Sequence, residues 1–174
     1  RSGSGAEIPE PAGSSGSGPD GVTVGSGTFG LGQVTVKLAQ VQRRGSLLLG
    51  VLEVTGGKGG SLTPLGTGWL SDPGSVLNNA RGELGGATSL LASDGLTLLS
   101  GSDRIYPVDY LLPDSDAHRA LTELELSEIL TEGQTSRVCV AWPDTEEDTV
   151  MVDHPDGGAL PWPWRLTDVP VVDG

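Results

Sequence analysis

From Gln33 to Gly56 the chain reads QVTVKLAQVQRRGSLLLGVLEVTG. Val34, Val36 and Leu38 alternate with Thr35 and Lys37, the two-residue period of a strand with one buried face. Val41 falls out of that phase, and one extra residue, a bulge after Leu38, restores it. The Arg43–Ser46 stretch supplies a turn in which Gly45 is suited to positive φ. Leu48, Leu52 and Val54 then continue one face. The pattern predicts a hairpin of 33–43 with 46–55.

Further along, LTEGQTSRVCVAWP at 130–143 turns at Gly133 and opens a strand. Val138, Val140 and Trp142 point to its inner face and Pro143 ends it. Two more strands are expected at 148–153 and 167–172. Residues 87–93 and LTLLS at 96–100 flank Asp94-Gly95, a hairpin turn signal. The stretch 103–112 reads as extended around Pro107. One short helix is expected in 114–133, capped by Ser115 or Asp116, with Ala117, Ala120, Leu121 and Leu124 at helical spacing. Alternation at Leu124 and Leu126 fits a strand equally well.

Two segments break the pattern. Residues 1–20 hold five Gly, five Ser and three Pro, too little apolar surface to offset the entropy of ordering. They read as a flexible tether, native or a linker, ahead of a domain at 21–174. Residues 56–86 include ten Gly, which predicts a long irregular loop with at most a short strand near Gly68–Leu70. The reading is all-β: a sandwich of about 7–9 short strands with turn signals at regular intervals, one short helix and a long Gly-rich loop.

Composition narrows the partners. Aromatics are 4% of the chain, so the core is aliphatic. No apolar run approaches the roughly 18 residues of a membrane helix. The chain begins with Arg rather than Met, which reads as a trimmed product and leaves room for a membrane tether upstream of residue 1. Net charge is −13, and residues 103–156 carry 14 Asp or Glu against three Arg. Such a surface repels nucleic acid and anionic membranes. Cys139 is the single cysteine, so no internal disulfide forms. It lies on the face opposite Val138 and Val140, and a free thiol there is expected under cover, from the 56–86 loop or a partner.

The order of parts resembles a class of exported bacterial immunoglobulin-like domains, the immunoprotective-antigen type and related envelope lipoprotein domains of actinobacteria. The resemblance rests on the Ser/Gly-rich lead, VTVKLAQVQRRGSLLLGVLEVT at 34–55, DRIYPVDY at 103–110, LTEGQTSRVCVAWP at 130–143 and DVPV at 168–171. It implies an exported location and an immunoglobulin-like architecture. It carries no catalytic residues.

Candidate chemistry is sparse. Asp153, His154 and Asp156 stand together in DHPDGG, where they could seat a metal or orient a base. Acidic loops at 113–118 and 143–148 could meet calcium, but lack the length and Gly position of a twelve-residue calcium loop. His118, beside Asp114 and Asp116, reads as a helix-start feature. No Gly-x-Ser-x-Gly elbow, phosphate loop or dinucleotide fingerprint is present. PWPW at 161–164 follows an extended path that turns successive rings different ways, which makes Trp162 and Trp164 candidate contacts for a partner or a sugar. The sequence therefore reads as a non-catalytic exported binding or structural module of the cell envelope or an extracellular assembly. It needs no cofactor and takes a protein partner or forms a homo-oligomer. The alternatives are a metal-dependent or enzymatic module built on the Asp153–Asp156 loop, and a subunit of a larger intracellular complex.

Overall fold

The computed structural model describes residues 14–24, 34–57, 63–64, 96–111, 118–120, 122–123, 129–154 and 164–174. All regular structure in them is strand. The first half of the chain gives β1 (Ser14–Ser17), β2 (Val22–Val24), β3 (Val34–Lys37), β4 (Val41–Arg44), β5 (Leu47–Gly56), β6 (Thr63–Pro64) and β7 (Thr97–Ser100). The second half gives β8 (Asp103–Ile105), β9 (Asp109–Leu111), β10 (His118–Ala120), β11 (Thr122–Glu123), β12 (Ile129–Leu130), β13 (Thr135–Pro143), β14 (Thr149–His154) and β15 (Trp164–Asp173). Eleven of these join in one mixed sheet, while β9 with β10 and β6 with β12 form two small antiparallel pairs.

The hairpin is where the hydrophobic pattern puts it. Lys37 stands opposite Glu53 and Val41 opposite Gly50, so the β3–β4 side carries one more residue than β5 across Leu38–Gln40. That is the bulge the phase shift called for. Gly45 makes the turn at φ 59°. On β5, Leu48, Leu52 and Val54 are fully buried, as are Val138 and Trp142 on β13, which pairs with β5 along its whole length. Gly133, at φ 80°, turns the chain into β13. An added Cβ at Gly50 would stand 2.9 Å from the Trp142 ring, so glycine lets the indole lie on the strand. The indole Nε1 donates to the Leu96 carbonyl at 2.8 Å, just ahead of β7. Since β7 lies at the far end of the sheet from β13, the sheet folds back on itself around a shared core.

The fold-back depends on three chain bends that meet. β15 belongs to both halves: its start pairs with β14 and with β1, and Val171–Asp173 run parallel to β4. Between these parts Asp168 takes φ 54°, and the β14–β15 register slips by one residue. The first segment changes sides as well, since β1 pairs with β15 and β2 with β3. At the crossing, Gly18 donates to the Thr167 carbonyl at 2.9 Å and accepts from Leu38 N–H at 3.0 Å. One glycine peptide thus bridges the bulge of β3–β4 and the bend of β15.

Three sequence expectations need correction. Residues 14–20, assigned by composition to a flexible tether, form β1 and the turn into β2. Their Gly and Ser content answers to close backbone packing, since a Cβ on Gly16 would overlap the Gly21 carbonyl oxygen. Residues 1–13 lie outside the described residues. The helix expected in 114–133 is absent among the described residues: β10, β11 and β12 fall there instead. Thr122–Glu123 ladder onto Val140 and Cys139, and pairing to a waiting strand edge outweighs local helix propensity. The 7–9 strands become fifteen segments among the described residues: the 33–43 and 103–112 runs each divide in two, and further short strands fall in 14–24, 63–64 and 118–130. The stretches 65–95 and 155–163, with the Asp94-Gly95 turn and the Gly68–Leu70 strand, lie outside the described residues.

Arg43 clasps the open end. Its Nε meets Asp144 at 3.0 Å, Nη1 meets Asp173 at 3.0 Å and Nη2 donates to the Glu147 carbonyl at 2.8 Å. The hairpin turn, the 144–148 loop and the last strand are held by one planar guanidinium. The Glu146 N–H bonds the Asp144 carboxylate at 2.9 Å. That bond, with Arg43 behind it, holds the Asp144 carboxyl below its ordinary pKa, against a smaller upward push from desolvation.

Two predictions follow from the bends and the clasp. Gly18→Ala places a Cβ 2.6 Å from Val169 Cγ2 and 2.7 Å from the Leu38 carbonyl oxygen. It should cost about 2 kcal/mol in urea unfolding, whereas the exposed Asp20→Ala should stay within about 0.5 kcal/mol. Equal, small effects would mean that 14–20 only space the domain. For Asp144, a lowered folded pKa stabilises above the unfolded value of about 3.9 and loses that contribution as pH falls through the folded value. The stability gap between wild type and Asp144→Asn should therefore hold steady above about pH 5 and close below about pH 4.

Candidate functional site

The Asp153–Asp156 candidate is the first to resolve. Asp153 and His154 are neighbours on β14, so their side chains leave opposite faces of the strand. His154 follows the inward set of Val150 and Val152, is buried, and stacks on Trp164 with ring centres 6.0 Å apart. Asp153 faces the other way. Its Oδ1 meets Arg165 Nε at 3.0 Å and its Oδ2 meets Arg104 Nη1 at 2.8 Å. Thr97 completes the knot: its hydroxyl donates to the Asp153 carbonyl at 2.9 Å and accepts from Arg104 at 2.6 Å. Each residue comes from a different adjacent strand, namely β7, β8, β14 and β15. Asp153 is 2% exposed and each of its oxygens is paired with a guanidinium, so a cation there would compete with two arginines.

Asp153 and His154 thus lie on opposite faces of β14, and Asp156, the third member of the expected metal site, lies outside the described residues. Among the described residues no cluster of three or more His, Cys, Asp or Glu is placed to hold a metal ion. Of the four carboxylates in the 143–148 loop, Asp144 pairs with Arg43 and Glu147 accepts from the Ser100 hydroxyl, while Glu146 and Asp148 are exposed. His118 sits in β10 rather than at a helix start. The aromatic candidate divides: Trp164 is fully buried in the core and offers no contact surface, and Trp162 lies outside the described residues.

A different face emerges. The outward side of β4, β5 and β13 holds an open groove of about 610 Å³. Its floor is Leu49, Val51, Cys139 and Ala141, bordered by Ala39 and Gln40 of the bulge, Gln42 and Glu53. Val51 is 47% exposed, the one large hydrophobic side chain so exposed among the described residues. Cys139 stands opposite Val51 in the ladder and is half-buried on the groove floor. The 56–86 loop expected to cover the thiol lies mostly outside the described residues.

Beyond the apolar floor the face becomes polar in ordered rows. Lys37, Glu53 and Arg137 lie side by side across three strands, with Arg137 3.6 Å from Glu53. The next row outward is Thr23, Thr35, Thr55 and Thr135, whose hydroxyls bond in pairs at 3.2 and 2.8 Å. The sequence carried a signal for this face that alternation alone discards. In LLLGVLEV the residues between the buried ones, Leu47, Leu49 and Val51, are apolar as well. An apolar run on both faces of a strand requires something on each side. The Asp153 knot had no such signal, because it joins Thr97 and Arg104 to Asp153 and Arg165 across 49 residues of chain between Arg104 and Asp153.

The sequence matches no protein-family model, no curated protein and no solved structure.

The buried knot makes a sharp prediction. Asp153→Ala strands Arg165, which is buried, and Arg104, which is mostly so, and should destabilise by about 3–5 kcal/mol in urea unfolding. Replacing the set together, Arg104→Met with Asp153→Leu and Arg165→Met, should recover most of that loss. A single-variant cost under about 1 kcal/mol would mean that the ion pairs are solvated and incidental.

Proposed function

We propose that this chain is a non-catalytic, exported module with an immunoglobulin-like sandwich architecture, which binds a protein partner in the cell envelope or an extracellular assembly. The observation that carries the reading is the apolar groove on the outer face of β4, β5 and β13, with Val51 half exposed at its centre. An exposed aliphatic cluster on a soluble surface marks an interaction site more often than a catalytic one.

Two further features support the reading. The sheet folds back around one core, with β15 shared by both halves and Trp142 bridging them, which suits a sandwich. The groups with the most chemical potential are consumed by structure: Asp153 by two arginines and His154 by Trp164. The metal-dependent alternative would need Asp153 to exchange those arginines for a cation, at the cost of two desolvated guanidiniums.

The test is fractionation of cells that make the protein, with a tagged wild type and Val51→Asp. Wild type is expected in the envelope or the medium, in a species larger than the 17.8 kDa chain. Val51→Asp is expected to run as a monomer with an unchanged melting temperature. Recovery from the cytosol would favour an intracellular complex and sink the exported reading. An unchanged size for Val51→Asp would remove the groove from it.

A further inference from the structure

The groove has an electrostatic setting opposite to that of the molecule. The chain carries −13, yet among the described residues its exposed cations, Lys37, Arg44 and Arg137, all lie on this one face. Lys37 and Arg137 flank Glu53 at one end of the groove. Arg44 stands opposite Leu47 at the other end, and its Nε donates to the Gln42 side chain at 3.0 Å. Glu53 is the one acid lining the groove, and it is spent on Arg137. Between the cationic ends lies the apolar floor.

We infer that this groove binds an acidic peptide segment of another protein, with aliphatic side chains at its middle and carboxylates at both ends. The inference rests on the binding-module reading and names its partner. The spacing sets the length. From the row at Glu53 to the row at Leu47 is six residues of β5, about 20 Å at strand rise, which six or so extended residues span. Aliphatic side chains fill the floor over Leu49 and Val51, where contact removes apolar surface from water. Carboxylates at the ends meet Lys37 and Arg137 on one side and Arg44 on the other.

Charge decides among possible occupants. An anionic lipid surface is extended and meets the repulsion of the whole −13 chain, not of one face. A short segment responds to charges within about one Debye length, roughly 8 Å at physiological salt, and the described side chains of this face, Lys37, Arg44 and Arg137 against Glu53, carry a net positive charge. A second copy docking face to face would set like cations against each other.

Cys139 supplies a reporter within the site, since it is the single thiol and sits on the groove floor. The probe is a fluorescent peptide, Glu-Glu-Leu-Thr-Leu-Glu-Glu, compared with versions in which Lys replaces Glu or Ser replaces Leu. Anisotropy is expected to give binding at least about ten-fold tighter for the first peptide than for either control, weakening with added salt. Bound peptide should slow labelling of Cys139 by N-ethylmaleimide. Lys37→Gln with Arg137→Gln, and separately Arg44→Gln, should each lose about ten-fold in affinity at a nearly unchanged melting temperature. Equal binding of the lysine peptide, binding without protection of Cys139, or uptake by phosphatidylglycerol vesicles in place of the peptide would each overturn the inference. So would a dimer that protects Cys139 in the absence of peptide. If no peptide binds while Val51→Asp still releases the protein from its larger species, the acidic partner falls and the binding module stands. If Val51→Asp changes nothing either, both fall.

Discussion

The fold depends on one crossing point, where the Gly18 peptide links Thr167 of β15 to Leu38 at the bulge between β3 and β4. A flat eleven-stranded sheet would leave the face of each strand in water. Bending β1–β2, β3–β4 and β15 at the same place lets the sheet wrap one aliphatic core, from Val22 to Val169. Each bend has its own device: a glycine too tightly packed to bear a Cβ, an inserted residue, and Asp168 at positive φ. Bulges and glycines are the usual means by which sheets turn corners, and here three coincide.

Once the sheet closes, its two outer faces differ in character. On the β7–β8–β14–β15 side, the outward row is a buried ionic knot of Asp153 between two arginines. Buried ion pairs add little net stability over an apolar packing, but they penalise any register that separates the partners. Four strands contribute to this knot, so it ties their relative alignment. On the β4–β5–β13 side, the outward rows are exposed threonines, alternating charges and the apolar groove. Asp153 is paired within the first face and His154 packs in the core, while the exposed Val51 and the apolar groove lie on the second.

The acidic character of the chain takes on a different meaning with this division. Fourteen acids in 103–156 make it look uniformly repulsive to anions. Two of them are internal partners: Asp144 serves Arg43, which Asp173 beyond that stretch also meets, and Asp153 serves Arg104 and Arg165. Among the described residues the exposed cations Lys37, Arg44 and Arg137 border the apolar groove, on a chain whose net charge is −13. Net charge governs long-range encounter, while the arrangement within a Debye length governs what stays bound.

The alternation of Val34, Val36 and Leu38, the phase slip at Val41 and the apolar set of Val138, Val140 and Trp142 determined by themselves the all-β class, the bulged hairpin and the strands that end the chain. Those features are local, because side-chain period and turn residues fix them wherever the chain lies. Leu121 and Leu124 suggested a helix because a period of three or four is also local, and only the open edge of β13 decided for strand. Residues 14–20 read as a tether because composition measures side chains, whereas their place depends on backbone contacts that require having none. The Asp153 knot and the cationic groove were invisible for a related reason. Each joins a local strand pair to a strand far along the chain, β7–β8 to β14–β15 and β4–β5 to β13, and that pairing order is set by how the whole core closes, not by any one segment.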